Sequence, residues 1–550
     1  MQKPIGQFKT TVEALQAAAS CERHLRFHDG NGTPTVTLSY EELNAQAISI
    51  AQRLHNYDLR AGDRVAIAAE TRPEFLYVFY GCQYAGIIPC PLPYRSRFEK
   101  PGLYAAKIGA MLRNGEIKAV ISLPEQDYIA DIALENTARA ISYDALTQAA
   151  AGDLPPPPQP DDIAYIQFSS GSTSEPKGIL ISHRALSANV SAILTYGMQL
   201  REDDRAFSWL PFYHDMGLVG FSIAPVYGAC NIDYMPSVAF ARRPMLWLKL
   251  MAEYGTTITY APDFAYRLVA ERFSSETAIP DLSHLRIAGI GGDMIRADTL
   301  ATFASALKPT GFNPDSFLPS YGMAEATLAI SFGRAGHHTD IDQIDYKQAS
   351  QTGTVIKRQN VESPQDDVRS FVSCGVPLPG MDVIIADTDG RLQPDRQIGC
   401  ILIKGESLMQ GYTSGNTEPV FDQNGFMDTG DLGYMRSGQL FITGRSKDLI
   451  IFRGRNIWPQ DIERIAEHAI SLSHGRTLAF STEVPGGDDQ VILLVQATED
   501  PETKDKIHTA ISQALGISCD IIFVPSGRIP RTSSGKLARA RAKALFLKAD

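Results

Sequence analysis

The segment Ser169-Ser170-Gly171-Ser172-Thr173-Ser174-Glu175-Pro176-Lys177-Gly178 gathers hydroxyls, glycines and one ammonium into a short stretch. Such a loop presents hydroxyl donors and backbone N–H groups able to wrap phosphate oxygens, and Lys177 adds a point positive charge. Its spacing is not that of a G-x-x-x-x-G-K-[ST] loop. A Ser-rich surface turn is the plain alternative. Further along, Trp209-Leu210-Pro211-Phe212-Tyr213-His214-Asp215-Met216-Gly217 puts an imidazole at the end of an expected strand. Ser320-Tyr321-Gly322-Met323-Ala324-Glu325 offers an aromatic face, a tight turn and a carboxylate able to hold a hard cation. Asp428-Thr429-Gly430-Asp431 sets a carboxylate on an expected turn, a usual way to hold a diol. Near the end, Ile529-Pro530-Arg531-Thr532-Ser533-Ser534-Gly535-Lys536 is a flexible loop presenting a lysine with no acidic neighbour in the sequence. Singly, each has an ordinary reading: a core His, a packed Tyr, a solvated Lys.

The elements that must position these groups alternate between short β-branched runs and helical patterns, which predicts an α/β architecture. A strand at 64–68 precedes a helix at 73–86, and a strand at 287–291 precedes a helix at 296–307. The strand 163–168 runs directly into the Ser-rich loop, and the prolines at 155–158 form a stiff connector inside the same domain. The stretch 334–369 is polar and turn-rich, and structureless loops of that length in compact domains are often functional. Gly444-Arg445-Ser446-Lys447-Asp448 then separates a strand-rich region from a tail with its own pattern. That tail has a helix from Pro459, a strand at 491–497, a helix at 501–515 and a strand at 521–524. Ile507, Ala510, Ile511 and Leu515 share one face of its second helix. The expected division is a large N-terminal domain at 1–447, carrying α/β layers and a small β-rich subdomain, and a small mobile α+β domain at 448–550.

Composition narrows the classes. In 550 residues, 51 Lys and Arg stand against 62 Asp and Glu for a net charge of −11, which argues against a protein that coats nucleic acid. The first residues lack a signal-peptide core, and the apolar run 216–232 carries glycines and a proline, so it reads as buried core and not as a membrane span. Seven scattered cysteines without a CxxC pair look like reduced thiols of a cytoplasmic protein. Cys21 with His24 and His28 lacks a fourth metal ligand, and His337, His338, Asp340 and Asp342 read as a solvated loop.

In this order and spacing the five chemical segments resemble the adenylate-forming superfamily of acyl-CoA synthetases, peptide-synthetase adenylation domains and luciferases, over essentially the whole chain. Ser174 stands where that family often has Gly. The resemblance implies ATP and Mg²⁺ and assigns roles. The loop with Ser170, Gly171, Ser172, Thr173 and Lys177 would hold the β- and γ-phosphates, and Glu325 with Thr173 the Mg²⁺. Tyr321, in Ser320-Tyr321-Gly322-Met323, would stack on adenine, with Gly291, Gly292 and Asp293 at the base edge. Asp431 and Arg445 would bind the ribose, and His214 would guide the incoming carboxylate. Lys536 would bridge that carboxylate and the α-phosphate, arriving from beyond a hinge at Lys447.

A finer resemblance is to the fatty acyl-AMP ligases, which hand their acyl group to a carrier protein. It rests on Arg453-Gly454-Arg455-Asn456-Ile457-Trp458-Pro459-Gln460-Asp461-Ile462-Glu463 after the hinge, on His214-Asp215-Met216-Gly217-Leu218, and on the extra stretch 334–369. It implies a long-chain fatty acid substrate and a phosphopantetheine-bearing acyl carrier protein. The apolar segments after Tyr213 and around 260–264 would line an acyl tunnel or simply form core. The basic run from Arg528 to the end is either a solvated face or a docking surface for an acidic carrier. Two alternatives stay open: a fatty acyl-CoA ligase, and a degenerate adenylate-binding regulatory protein.

Overall fold

The computed structural model describes residues 8–95, 99–169, 176–274, 280–356, 368–413, 420–452, 455–473, 475–482, 490–531 and 536–546. A nine-stranded sheet forms the centre, in the spatial order Val376–Pro377, Ala329–Phe332, Phe317–Gly322, Ile287–Ile290, Ile258–Ala261, Arg205–Ser208, Asn231–Tyr234, His24–His28 and Pro34–Ser39. Its six middle strands are parallel and its edges antiparallel. A second sheet, Ile88–Leu92, Arg64–Ala68, Ala119–Ser122 and Arg139–Ser142, is parallel throughout. Parallel strands covered on both faces need continuous apolar runs, and Ile258–Ala261 and Ile287–Ile290 are buried along their whole length. The expected strand–helix units appear at Arg64–Ala68 with Pro73–Tyr84, and at Ile287–Ile290 with Ala297–Leu307. The class is α/β.

Close packing sets local sequence. A Cβ on Gly289 would lie 1.8 Å from the Tyr260 ring on the neighbouring strand, so only glycine lets these strands approach. The apolar run 216–232 is a fully buried π-helix, Met216–Ile223, followed by the helix Ala224–Tyr227 and the strand Asn231–Tyr234. Among the described residues no helix is long and apolar enough to cross a membrane.

An antiparallel sheet follows, Met381–Ala386, Gly399–Gly405, Met427–Arg436 and Gln439–Arg445. Asp428 and Asp431, expected on a turn, lie within the strand Met427–Arg436, where Gly430 supplies a φ of +72°. The stretch 334–369 also departs from expectation. It contains the strand Ile341–Asp345 and the helix Tyr346–Thr352, and its end enters Val368–Val372, which pairs antiparallel with the first strand. Its few apolar residues suffice because Ile344, Ala349, Val355 and Phe371 pack on Tyr434 and Phe441. Buried Asp342 fixes the hairpin to the antiparallel sheet, accepting from Tyr434 Oη at 2.9 Å and pairing with Arg436 at 2.8 Å and Arg396 at 3.2 Å. Part of the stretch, 357–367, lies outside the described residues.

Beyond Asp448 the helices Pro459–Ala469 and Pro501–Leu515 pack on the sheet Thr477–Thr482, Gln490–Val495 and Asp520–Phe523. Ile462, Val491, Leu493, Ile507, Ile511 and Leu515 belong to an apolar cluster distinct from the central one. The basic run from Arg528 is not uniformly a surface. Arg539 is interior, donating to both Glu463 oxygens at 2.7 and 2.8 Å, and Arg531 donates to the Gly475 carbonyl at 2.6 Å. A charge run in sequence does not reveal which of its members find a buried acid. His28 is likewise structural, between Asp233 at 2.9 Å and the Gly32 carbonyl at 3.2 Å, while His24 meets Arg26 at 3.1 Å.

Candidate active site

Three of the chemical segments follow the carboxyl ends of the central parallel strands, the usual place for a site in an open α/β sheet. Ile287–Ile290 leads to Gly291, Gly292 and Asp293, and Phe317–Gly322 carries Ser320, Tyr321 and Gly322. Arg205–Ser208 leads through a turn to His214. His214 is therefore not on a strand end but on the turn that opens the π-helix Met216–Ile223. Its neighbours fix that turn: Gln167 Nε2 donates to the Tyr213 carbonyl at 2.7 Å, and a Cβ on Gly217 would meet the Pro211 oxygen at 2.1 Å.

Two carboxylates follow, Glu325 half-buried and Asp431 buried. Glu325 accepts from Tyr412 Oη at 3.1 Å, and Lys177 Nζ sits 5.0 Å over the Tyr412 ring. Burial raises the Glu325 carboxyl above its ordinary range; Tyr412 and Arg445 oppose the shift while Asp215 adds to it. Asp431 accepts from Tyr321 Oη at 2.7 Å and pairs with Arg445 Nε at 3.2 Å, its register partner on the adjacent strand. Burial raises Asp431 as well, against Arg445, Tyr321 and Lys536.

The third group is an imidazole–carboxylate pair. His214 Nδ1 lies 2.5 Å from Asp215 Oδ1, which also accepts the Met216 N–H at 2.7 Å. Burial works against ionised Asp215, yet His214 and then Lys536 hold its carboxyl below the usual range. Lys536, half-buried, thus acts on Asp215 and Asp431 at once, from a segment that follows the C-terminal apolar cluster. The arrangement surrounds two under-neutralised acids with Lys177, Arg445 and Lys536, a setting suited to a polyanion together with a divalent cation.

The other expected residues fall around this centre or outside it. Ser320 Oγ lies 2.6 Å from Tyr260 Oη, and a Cβ on Gly322 would collide with the Leu328 carbonyl at 1.8 Å. Met323 is extended and half-buried at the start of the turn carrying Glu325. Gly292 adopts a φ of +75°, with Met216 Cε packed where its Cβ would project. Lys447 stands apart, exposed on the turn Ser446–Asp448. Ser170, Gly171, Ser172 and Thr173 lie outside the described residues. The apolar residues after Tyr213 and around 260–264 pack into the central core, with Trp209 stacked on Phe240 at 3.8 Å. Asp215 and Tyr412 were not singled out by sequence reasoning. Asp215 was legible as the acid beside the imidazole, whereas nothing local marks Tyr412.

The chain matches the model of the AMP-binding enzyme family over residues 15–413. A Caulobacter vibrioides protein bearing an acyl-CoA synthetase name is 37% identical, over 98% of this chain and 96% of its own. A medium-chain-fatty-acid–[acyl-carrier-protein] ligase of Moorena producens is 31% identical, over 100% of this chain and 96% of its own. A solved structure from work on fatty acyl-adenylate ligases of E. coli and L. pneumophila superposes with a TM-score of 0.92 at 38% identity, covering 99% of both chains. The family match, these similarities and the fold place the chain in the AMP-binding enzyme family, as an adenylate-forming acid–AMP ligase that draws on ATP.

Proposed function

We propose that this enzyme activates a long-chain fatty acid to acyl-AMP and passes the acyl group to the phosphopantetheine arm of an acyl carrier protein. The observation that carries the adenylation reading is that the Lys536 charge is felt by both Asp215 and Asp431, because those groups come from opposite sides of the turn at Lys447. In the reaction a carboxylate oxygen bonds to the α-phosphorus of ATP, the bond from that phosphorus to the β-bridging oxygen breaks, and pyrophosphate leaves. Both reactants are anions, so the site must neutralise charge and hold them in line. Lys536 bridges the acid and the α-phosphate, and His214, oriented by Asp215, guides the acid. Asp431 and Arg445 hold the ribose, Tyr321 faces adenine with Ser320, Gly322 and Met323 around it, and Gly292 and Asp293 edge the base. Lys177, with the loop Ser170, Gly171, Ser172 and Thr173, holds the terminal phosphates. A half-buried carboxylate raised above its usual range, with a neutral phenol as its donor, fits a hard cation, so Glu325 with Thr173 would hold Mg²⁺. When bound, Mg²⁺ offsets phosphate charge.

The two-domain division at Lys447 and the carrier-protein branch rest on a second observation. Arg369, at the end of the inserted stretch, is buried against Asp461 of the C-terminal part and lies 5.1 Å over the Trp458 ring. That contact exists with Lys536 in the site, so it favours the adenylating arrangement over one rotated toward thioester chemistry with coenzyme A. Mass spectrometry of products from a fatty-acid panel, with ATP and either coenzyme A or a carrier protein, tests the reading. Acyl-AMP and acylated carrier support it; rapid acyl-CoA formation overturns the branch, and absence of acyl-AMP across the panel overturns the substrate.

A further inference from the structure

One buried acid belongs to none of the roles above. Asp263 opens the helix Asp263–Arg272 and is 4% exposed. Its strand, Ile258–Ala261, lies beside Ile287–Ile290, so both loops leave the sheet together. Asp263 reaches across that boundary: Oδ1 accepts the Arg296 N–H at 3.0 Å and Oδ2 accepts the Thr299 hydroxyl at 3.0 Å. Arg296 is the N-cap of the helix Ala297–Leu307 and has no capping side chain of its own. Arg296 and Thr299 occupy the N-cap and third positions that a capping box would join within one helix. Here a residue from the neighbouring loop joins them.

The cap closes the loop that begins at Gly291. That loop is tightly registered at its other end as well. A Cβ on Gly291 would lie 2.7 Å from Ser320 Oγ, and Gly292 holds its φ of +75° against Met216. Between these fixed points stands Asp293, whose charge reaches Arg531 and Arg539 of the C-terminal part. A segment pinned at both ends by buried contacts has little freedom to adjust to a ligand, so its resting geometry decides how well it fits one.

We propose that Asp263 is a positioning residue for the nucleotide, its cross-loop cap holding Gly291, Gly292 and Asp293 in the shape that meets the adenine edge. This rests on the assignment of that loop to the base. Burial pushes the Asp263 carboxyl up to about 6, while the Arg296 N–H and the Thr299 hydroxyl that donate to it pull it back. Asparagine keeps the geometry, since its oxygen can accept the Arg296 N–H and its amide can donate to the Thr299 hydroxyl.

The test is steady-state kinetics of ATP–pyrophosphate exchange, with ATP affinity measured separately by calorimetry on the full chain. Loss of a buried hydrogen-bonded carboxylate corresponds to about a tenfold effect. Asp263→Ala is expected to raise the KM and the calorimetric Kd for ATP about tenfold, with kcat and the KM for the fatty acid changed less than about threefold. Asp263→Asn is expected to return both ATP constants to within about threefold of wild type. Thr299→Val, which removes one bond and keeps the carboxylate, covers the case in which the alanine variant fails to fold, and raises the ATP constants by about threefold. A lower melting temperature or active fraction at unchanged ATP KM makes Asp263 merely structural and overturns the proposal, as does an asparagine variant as poor as alanine. Gly292→Val separates the two levels. If it raises ATP KM while Asp263→Ala does not, the inference fails alone; if neither moves ATP KM, the adenine assignment of the loop fails with it.

Discussion

Two groups of buried acids in this protein are built on opposite principles. Glu463, in the C-terminal part, has its cation supplied: Arg539 approaches both oxygens, and the Ala479 N–H donates at 2.9 Å. Burial pushes the Glu463 carboxyl up, while Arg539 pulls it down and is itself held more firmly charged. Glu325, at the sheet ends, is half-buried and meets a phenol. Asp431 is intermediate, sharing a phenol and the exposed Arg445. A buried charge is tolerated only when paired, so the first arrangement is complete in itself and the second is finished by something that arrives. The difference separates scaffold from site without reference to any relative.

The largest expected effect tests the scaffold side. Arg539→Ala strands Glu463, and breaking a buried pair costs about 3–5 kcal/mol. Chemical denaturation of the C-terminal part should show that loss, and a change below about 1 kcal/mol would make the pair ornamental. Next comes Lys536, the cation proposed to bridge the acid and the α-phosphate. Lys536→Ala should reduce acyl-AMP formation about 10²–10³-fold while ATP binding and the melting temperature stay close to wild type. Wild-type adenylation by that variant removes Lys536 from the chemistry.

Glu325→Gln sharpens the contrast by moving stability and activity in opposite directions. A carboxyl raised in the folded state takes up a proton on folding, so its ionised form costs stability above the unfolded carboxylate range and costs nothing well below it. The glutamine variant should therefore melt higher than wild type at neutral pH without Mg²⁺, and this gain should vanish as pH falls through the carboxylate range. Its Mg²⁺-dependent rate should drop by at least about tenfold. A melting temperature below wild type at neutral pH, together with a superimposable Mg²⁺ titration, would return Glu325 to the scaffold.

Much of this was legible in the sequence, for reasons that can be named. The segments with Lys177, His214, Glu325, Asp431 and Lys536 are short and local, whereas the strand that holds Asp431 and the turn that holds His214 were not where the strand–helix pattern put them. Partners contributed by distant chain were not legible. Tyr412 reaches Glu325 through a two-residue strand, Gly411–Tyr412, too short to leave a periodic signal. Arg539 looked like one member of a basic face because spacing does not show that Glu463 waits behind it. The stretch 334–369 read as irregular because its hairpin takes its apolar partners, Tyr434 and Phe441, from another sheet.

The smallest effect concerns a buried pair that joins the hairpin to the C-terminal part. Arg369 meets Asp461, both side chains being under a tenth exposed, and its guanidinium lies 4.7 Å over Phe371 and 5.1 Å over Trp458. Unlike Glu463–Arg539 this pair has one member on the hairpin fixed to the antiparallel sheet by Asp342 and the other on the helix Pro459–Ala469. If the C-terminal part turns about Lys447 as proposed, that turn separates the pair, and its energy then counts only in the arrangement that has Lys536 in the site. Such a contact shifts a two-state population by its differential energy, and about 1.4 kcal/mol changes the ratio tenfold. Arg369→Met keeps bulk over the rings and removes the charge, and Asp461→Asn removes the partner without leaving a buried carboxylate. Each should leave acyl-AMP formation within about threefold of wild type while cleavage between residues 446 and 449, read as an index of hinge exposure, accelerates about tenfold. If protection of that turn is unchanged in both variants, the inserted hairpin does not restrain the C-terminal part.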